Sequence, residues 1–130
     1  MSLPKGRSKG LVAATLERYG RIDILLNNAG ILPEPIPLAQ MPEAEWDRVF
    51  DTNTKGVYRM VQGVWSVMER QGGGVIVNTA SVVAFRGTAG LAAYCASKAA
   101  VVMLTKCLAL EGAPLGIRLT VFAPVLLTRL

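Results

Sequence analysis

The sequence predicts an α/β fold: a parallel sheet of about three strands with helices packed on it. Two observations predict it. Stretches with apolar residues at helical spacing alternate with short apolar runs, in the order helix, strand, helix, strand, helix, strand. That alternation implies parallel strands joined by right-handed crossovers. No internal repeat or low-complexity tract interrupts it, so residues 1–130 read as a single domain. A chain of this size buries roughly two-thirds of the surface its unfolded form exposes, and folds without disulfides or a structural metal.

Residues 8–19 place Leu11, Val12, Thr15, Leu16 and Tyr19 at helical spacing, with Gly20 as the stop. Ile22 to Asn27 is a compact apolar run, the pattern of a strand buried on both faces of a parallel sheet. It ends at Asn27-Asn28-Ala29-Gly30. Pro33, Pro35 and Pro37 make the stretch from Ile31 to Met41 an extended loop. Pro42 then opens a long helix, with Glu43, Glu45 and Asp47 near its positive end. Trp46, Phe50, Val57, Met60, Val64 and Met68 form its apolar stripe, and Asn53 falls on that stripe. Gln71-Gly72-Gly73-Gly74 ends the helix, and a second strand runs from Val75 to Ser81. After a loop through Gly90, Leu91 to Leu110 is a helix of small apolar residues around most of its circumference. That pattern suggests a sheet on one side and another subunit on the other. Gly112, Pro114 and Gly116 break it, and Ile117 to Phe122 is the third strand, running into Ala123-Pro124. In such sheets the ligand crevice lies beyond the carboxyl ends of the strands. The Asn27–Gly30 turn, Ser81 and Pro124 all fall there.

Composition removes whole classes of chemistry. The chain has no His, which excludes a Ser-His-Asp triad, a Cys-His pair and a His-ligated zinc; no metal site is expected. The net charge of +5 is spread from Lys5 to Arg129 and interleaved with acids, so nucleic acid is not an expected partner. The dense run Lys5, Arg7, Lys9 reads as a solvated tail, and Met1-Ser2-Leu3 as an added start. Cys95 and Cys107 stand twelve residues apart on one helix, about 18 Å, too far for a bridge. They read as buried free thiols of a reducing compartment. No uninterrupted apolar run reaches about 18 residues and the start has no secretory core, so the expectations are no membrane span and a cytoplasmic location.

Tyr94 and Lys98, four apart, share one helix face. An ammonium beside a phenol favours the phenolate and draws its proton exchange towards neutral pH, which makes the pair a general acid/base unit. Ser81 can offer a hydroxyl to the same reacting oxygen. Asn53, on a buried stripe, must find partners for its amide, and a proton-relaying water is one candidate. Singly, each of these residues has an ordinary packing or turn-forming role. Together they are far more specific.

Asn27-Asn28-Ala29-Gly30, then Asn53, then Ser81 with Tyr94 thirteen residues on, then Tyr94-Cys95-Ala96-Ser97-Lys98, resemble the short-chain dehydrogenase/reductase family in content, order and spacing. The resemblance implies a partial Rossmann-like, doubly wound sheet. It implies that Tyr94 is the catalytic acid/base, that Lys98 assists it and binds the nicotinamide ribose, that Ser81 orients the substrate oxygen and that Asn53 completes the proton relay. Asn27, Ala29 and Gly30 would line the nucleotide cleft, and Pro124 would lie near the nicotinamide. The implied reaction is hydride transfer between NAD(H) or NADP(H) and an alcohol/carbonyl pair. The implied assembly is a homo-oligomer through helices 42–70 and 91–110.

The sequence departs from that family at both ends. The opening strand, Gly-rich turn and helix that receive the pyrophosphate are not found. Gly6 to Val12 only imitates the turn, since no strand precedes it and Val12 stands where a Gly is required. Pro124 is followed by Val125 rather than Gly, Thr128 comes one residue early and Thr120 replaces a common Asn. A second expectation follows: a catalytically inactive fragment acting through self-association or association with a full-length homologue. The first strand would then present an apolar edge.

Overall fold

The computed structural model describes residues 6–124. The expectations for Lys5, Met1-Ser2-Leu3, Val125 and Thr128 lie outside them. Helix α1 (Arg7–Tyr19) closes on Gly20, whose left-handed backbone (φ 73°) lets its N–H reach the Leu16 carbonyl at 2.8 Å. Strand β1 (Ile24–Asn27) starts two residues later than the apolar run. Ile22 is held instead by the Gln71 side chain, which accepts from its N–H at 2.9 Å and donates to its carbonyl at 2.7 Å. The proline-bearing stretch is extended apart from a 3-10 turn at Leu38–Gln40.

Pro42 caps α2 (Glu43–Phe50), which passes through a π-helical turn (Asp51–Lys55) into α3 (Gly56–Gln71). Strand β2 (Gly74–Thr79) follows, then a 3-10 turn at Val82–Ala84, helix α4 (Ala92–Gly112) and strand β3 (Ile117–Phe122). The strands lie in the order β1-β2-β3, all parallel. Register places Leu25, Ile76 and Leu119 in one row, with Asn27, Asn78 and Val121 in the next row on the same face. Helices α3 and α4 pack on that face, and α1 leans on α3. Val57, Val61, Val64 and Met68 of α3 meet Val101 and Val102 of α4 over Ile76 and Ile117. Each such buried side chain stabilises the fold by about 1.5–3 kcal/mol.

Three expectations need correction. First, β1 is not buried on both faces: Leu25 is 9% exposed, but Ile24 is 67% and Leu26 61% exposed. Among the described residues the helices cover one sheet face, and the period-two alternation of the strand leaves these two side chains on the other. Second, Trp46 and Phe50 are half-buried and stack on each other at 4.9 Å, while Val49 takes the interior position. The extra residue of the π turn puts the stripe before it out of phase with the stripe after it. Third, Cys95 and Cys107 are free thiols, but Cys95 is half-buried and Cys107 exposed. Helix α1 forms where expected, burying Ser8 and Val12 and leaving Leu11 and Tyr19 exposed.

One helical stretch, Ala92–Leu115, is long and apolar enough to cross a membrane by length and composition, although no single apolar run suggested it. It packs against β2 and β3 and carries the buried Lys98, as a core helix of a sheet protein does.

Candidate active site

The chain leaves β1 at the carboxyl edge of the sheet and is tied down at once. Asn27 Nδ2 donates to Asn78 Oδ1 at 2.9 Å, and Asn28 Oδ1 accepts from Thr79 Oγ1 at 3.0 Å. Asn53 grips the next residues. Its Oδ1 accepts from the Ile31 N–H at 2.7 Å and its Nδ2 donates to the Ile31 carbonyl at 3.0 Å. The π turn is the local distortion that carries Asn53, fully buried, across to that loop.

Held in this way, Gly30 faces Lys98. A Cβ on Gly30 would stand 3.0 Å from Lys98 Nζ and 3.3 Å from Asn53 Oδ1. Only glycine keeps that space open without displacing one of them. Lys98 is 4% exposed, and its Nζ donates to the Thr79 carbonyl at 3.1 Å and lies 5.9 Å from the Tyr94 ring centroid. Burial pushes its ammonium below the ordinary lysine range. Tyr94 is half-buried one turn earlier on α4, so the phenol and the ammonium share a face.

Ser97 joins the two halves of this cluster. Its Oγ accepts from Asn53 Nδ2 at 3.1 Å and donates to the Tyr94 carbonyl at 2.8 Å, while its own carbonyl accepts from Thr54 Oγ1 at 2.9 Å. Ser81 ends the β2 segment and caps the 3-10 turn, its Oγ accepting from the Val83 N–H at 3.4 Å. That turn packs on α4. Pro124 reaches the same rim, where its carbonyl accepts from the Val82 N–H at 3.3 Å. Asn27, Asn28 and Ala29 line a cavity of about 250 Å³ with Leu11, Thr52 and Met60.

The structure therefore brings Gly30, Asn53, Tyr94 and Lys98 together, with Ser81 and Pro124 at the rim of the same sheet edge. The Asn53 amide is bonded to Ile31 and Ser97, and Asn27 points into the core towards Asn78. Sequence reasoning missed Ser97, Thr79, Asn78 and Thr105. The first was findable, since it lies on the Tyr94–Lys98 face. Asn78 is the polar residue at an inward position of an alternating strand, a mismatch that signals a partner.

Residues 5–128 match the family described as short chain dehydrogenase. The chain belongs to this family. It is 43% identical over 116 residues to a 3-oxoacyl-[acyl-carrier-protein] reductase of Staphylococcus epidermidis, covering 89% of this chain and 47% of that protein. It is also 43% identical over 113 residues to the levodione reductase of Leifsonia aquatica, covering 87% of this chain and 42% of the relative. Among solved structures, levodione reductase superposes with a TM-score of 0.88 at 42% identity, over 91% of this chain and 46% of that one. NAD+-bound xylitol dehydrogenase also superposes with a TM-score of 0.88, at 36% identity over 91% of this chain and 45% of that one. The chain thus spans about half the length of the relatives it matches. Its three-stranded sheet is a Rossmann-like fragment of the family's fold.

Proposed function

We propose that this chain carries the proton-transfer half of an NAD(P)-dependent oxidoreductase that acts on a small alcohol/carbonyl pair. The observation that carries the reading is the convergence of Lys98, Asn53 and Gly30, with Tyr94 beside the same ammonium. The residues fit the ribose and nicotinamide end of a dinucleotide. Lys98 Nζ donates to the Thr79 carbonyl and carries three N–H donors in all, which leaves donors for a ribose diol, while Gly30 leaves room beside it. When bound, NAD(P)H supplies the hydride. The Tyr94 hydroxyl donates the proton to the carbonyl oxygen, and the Lys98 charge stabilises the phenolate left behind. Ser81 orients that oxygen. Asn53 supports the relay by holding the Ile31 main chain, next to the Gly30 that faces Lys98.

The test is a titration of the chain with NADH and NADPH, followed by nicotinamide fluorescence and then carbonyl-dependent oxidation. Saturable binding weakened in Lys98→Ala supports the reading, as does a carbonyl-dependent rate lowered about 10²–10⁴-fold in Tyr94→Phe. No binding at millimolar nucleotide refutes it for this chain.

A second reading rests on its own observation. Ile24, Leu26 and Phe122 are 67%, 61% and 60% exposed on the uncovered sheet face, and Tyr58, Trp65, Leu104 and Leu108 line a groove of about 370 Å³ between α3 and α4. Both surfaces suit association with a second copy or a full-length homologue, the helical one matching the assembly expected through helices 42–70 and 91–110. In this reading the chain is catalytically inactive and works as a partner. Size exclusion with light scattering separates the readings, since a monomer with bound nucleotide excludes this one.

A further inference from the structure

The core beneath the site holds a polar chain that the proposed chemistry does not use. Asn27 Nδ2 donates to Asn78 Oδ1 at 2.9 Å, Asn78 Nδ2 donates to Thr105 Oγ1 at 2.9 Å, and Thr105 Oγ1 donates to the Val101 carbonyl at 2.7 Å. It crosses from β1 through β2 to α4 by side chains alone. Asn27, Asn78 and Thr105 are 9%, 0% and 3% exposed, and no buried side-chain polar atom among the described residues lacks a partner.

Apolar contacts between a helix and a sheet are non-directional, so they define the height of α4 on β2 less sharply than a hydrogen bond between fixed atoms does. The Asn78–Thr105 bond is of the sharper kind, because a one-residue shift of α4 breaks it and leaves the Asn78 amide without its acceptor in the core, at a penalty of about 1–3 kcal/mol, while the Asn27–Asn78 and Thr105–Val101 bonds stay within the sheet and the helix. Thr105 lies seven residues after Lys98 and Val101 three after it, so all three sit on the α4 face that meets the sheet. Lys98 Nζ, in turn, bonds the carbonyl of Thr79, the residue next to Asn78. The height of α4 against β2 therefore decides whether the ammonium reaches Thr79 and Gly30.

We infer that Asn78 and Thr105 are positioning residues, whose mutual bond fixes α4 in register on β2 and thereby sets where Lys98 stands at the sheet edge. The inference rests on the reading of Lys98 as a working residue, but its test needs neither cofactor nor substrate.

The experiment follows the Lys98 side chain by NMR in lysine-labelled full-length chain, assigned with Lys98→Arg, across a pH titration. The variants are Thr105→Val, which keeps shape and removes the hydroxyl; Thr105→Ser, which restores it; and Val12→Ala, a core change at the contact of α1 with Gly63 of α3, away from the row. Thr105→Val is expected to move the Lys98 midpoint up towards the ordinary ammonium value, as the helix loosens and water reaches the amine. Thr105→Ser is expected to return it to the wild-type position, and Val12→Ala to lower stability without moving it. An unchanged midpoint in Thr105→Val, a shift that Thr105→Ser fails to reverse, or an equal shift in Val12→Ala overturns the inference. Should Thr105→Val not fold, exchange of the Asn78 carboxamide protons in the wild type decides. Protection matching global unfolding supports a locked row, and exchange far faster than that overturns it. Nucleotide titration of the same samples reports on the function proposed above independently, so the two can fail separately.

Discussion

The two faces of the sheet are made from the same three strands, yet they behave as different materials. On one, Leu25, Ile76 and Ile117 are closed over by α3 and α4, and the polar positions Asn27 and Asn78 are paired. On the other, Ile24, Leu26 and Phe122 meet solvent. The difference teaches that strand composition alone does not assign a face. Ile24 and Leu25 are equivalent in hydropathy and adjacent in sequence, and only the helix overhead separates them. Buried apolar contacts gather on the covered face, and exposed apolar side chains on the open one.

The largest effect that would break this contrast is in the core. Ile76→Ala, a fully buried position, is expected to cost about 2–5 kcal/mol in urea unfolding. A loss below about 1 kcal/mol would mean that the helical layer is not closed. Next comes Asn53→Ala, which leaves the Ile31 main chain and Ser97 without their partner. It is expected to cost about 1–3 kcal/mol and to release the Asn27–Ile31 turn, read as faster amide exchange at Ile31.

A smaller effect concerns pH. Burial depresses Lys98 in the folded state, so between its folded value and the ordinary lysine value the unfolded chain binds more protons. Stability should therefore rise with pH through that alkaline window, the penalty for burying the charge being present in full below the folded value and relieved above it. Lys98→Met should remove this contribution, seen as a flatter dependence than wild type in parallel denaturation series; identical slopes would place the ammonium in solvent. The smallest effect belongs to the open face. Leu26→Thr is expected to stay within about 0.5 kcal/mol of wild type in the isolated chain. A large loss there would show that something covers the face.

Much of this was legible in the sequence. The order of elements followed from alternating periodicity, β3 was placed at Ile117–Phe122 as observed, and family membership followed from the motifs at Asn27–Gly30, Ser81 and Tyr94–Lys98. The shortening of β1 was hidden because it depends on Gln71, 49 residues away. The π turn was hidden too. Helical periodicity assumes a constant turn, and the π turn sits where Asn53 bonds the loop at Ile31, a contact between residues 22 apart. Ser97, Asn78 and Thr105 look like routine small polar residues until the fold sets each against its partner.

The central claim is that the sheet edge around Gly30 and Lys98, and not the open apolar face, receives a nicotinamide nucleotide. Amide NMR of the chain titrated with NADPH and with NADH tests it most directly. Shifts confined to Asn28, Gly30, Ser81, Tyr94 and Lys98, saturating with nucleotide and lost in Lys98→Ala, are the predicted result. Shifts absent at millimolar nucleotide, or gathered at Ile24, Leu26 and Phe122 instead, would contradict it.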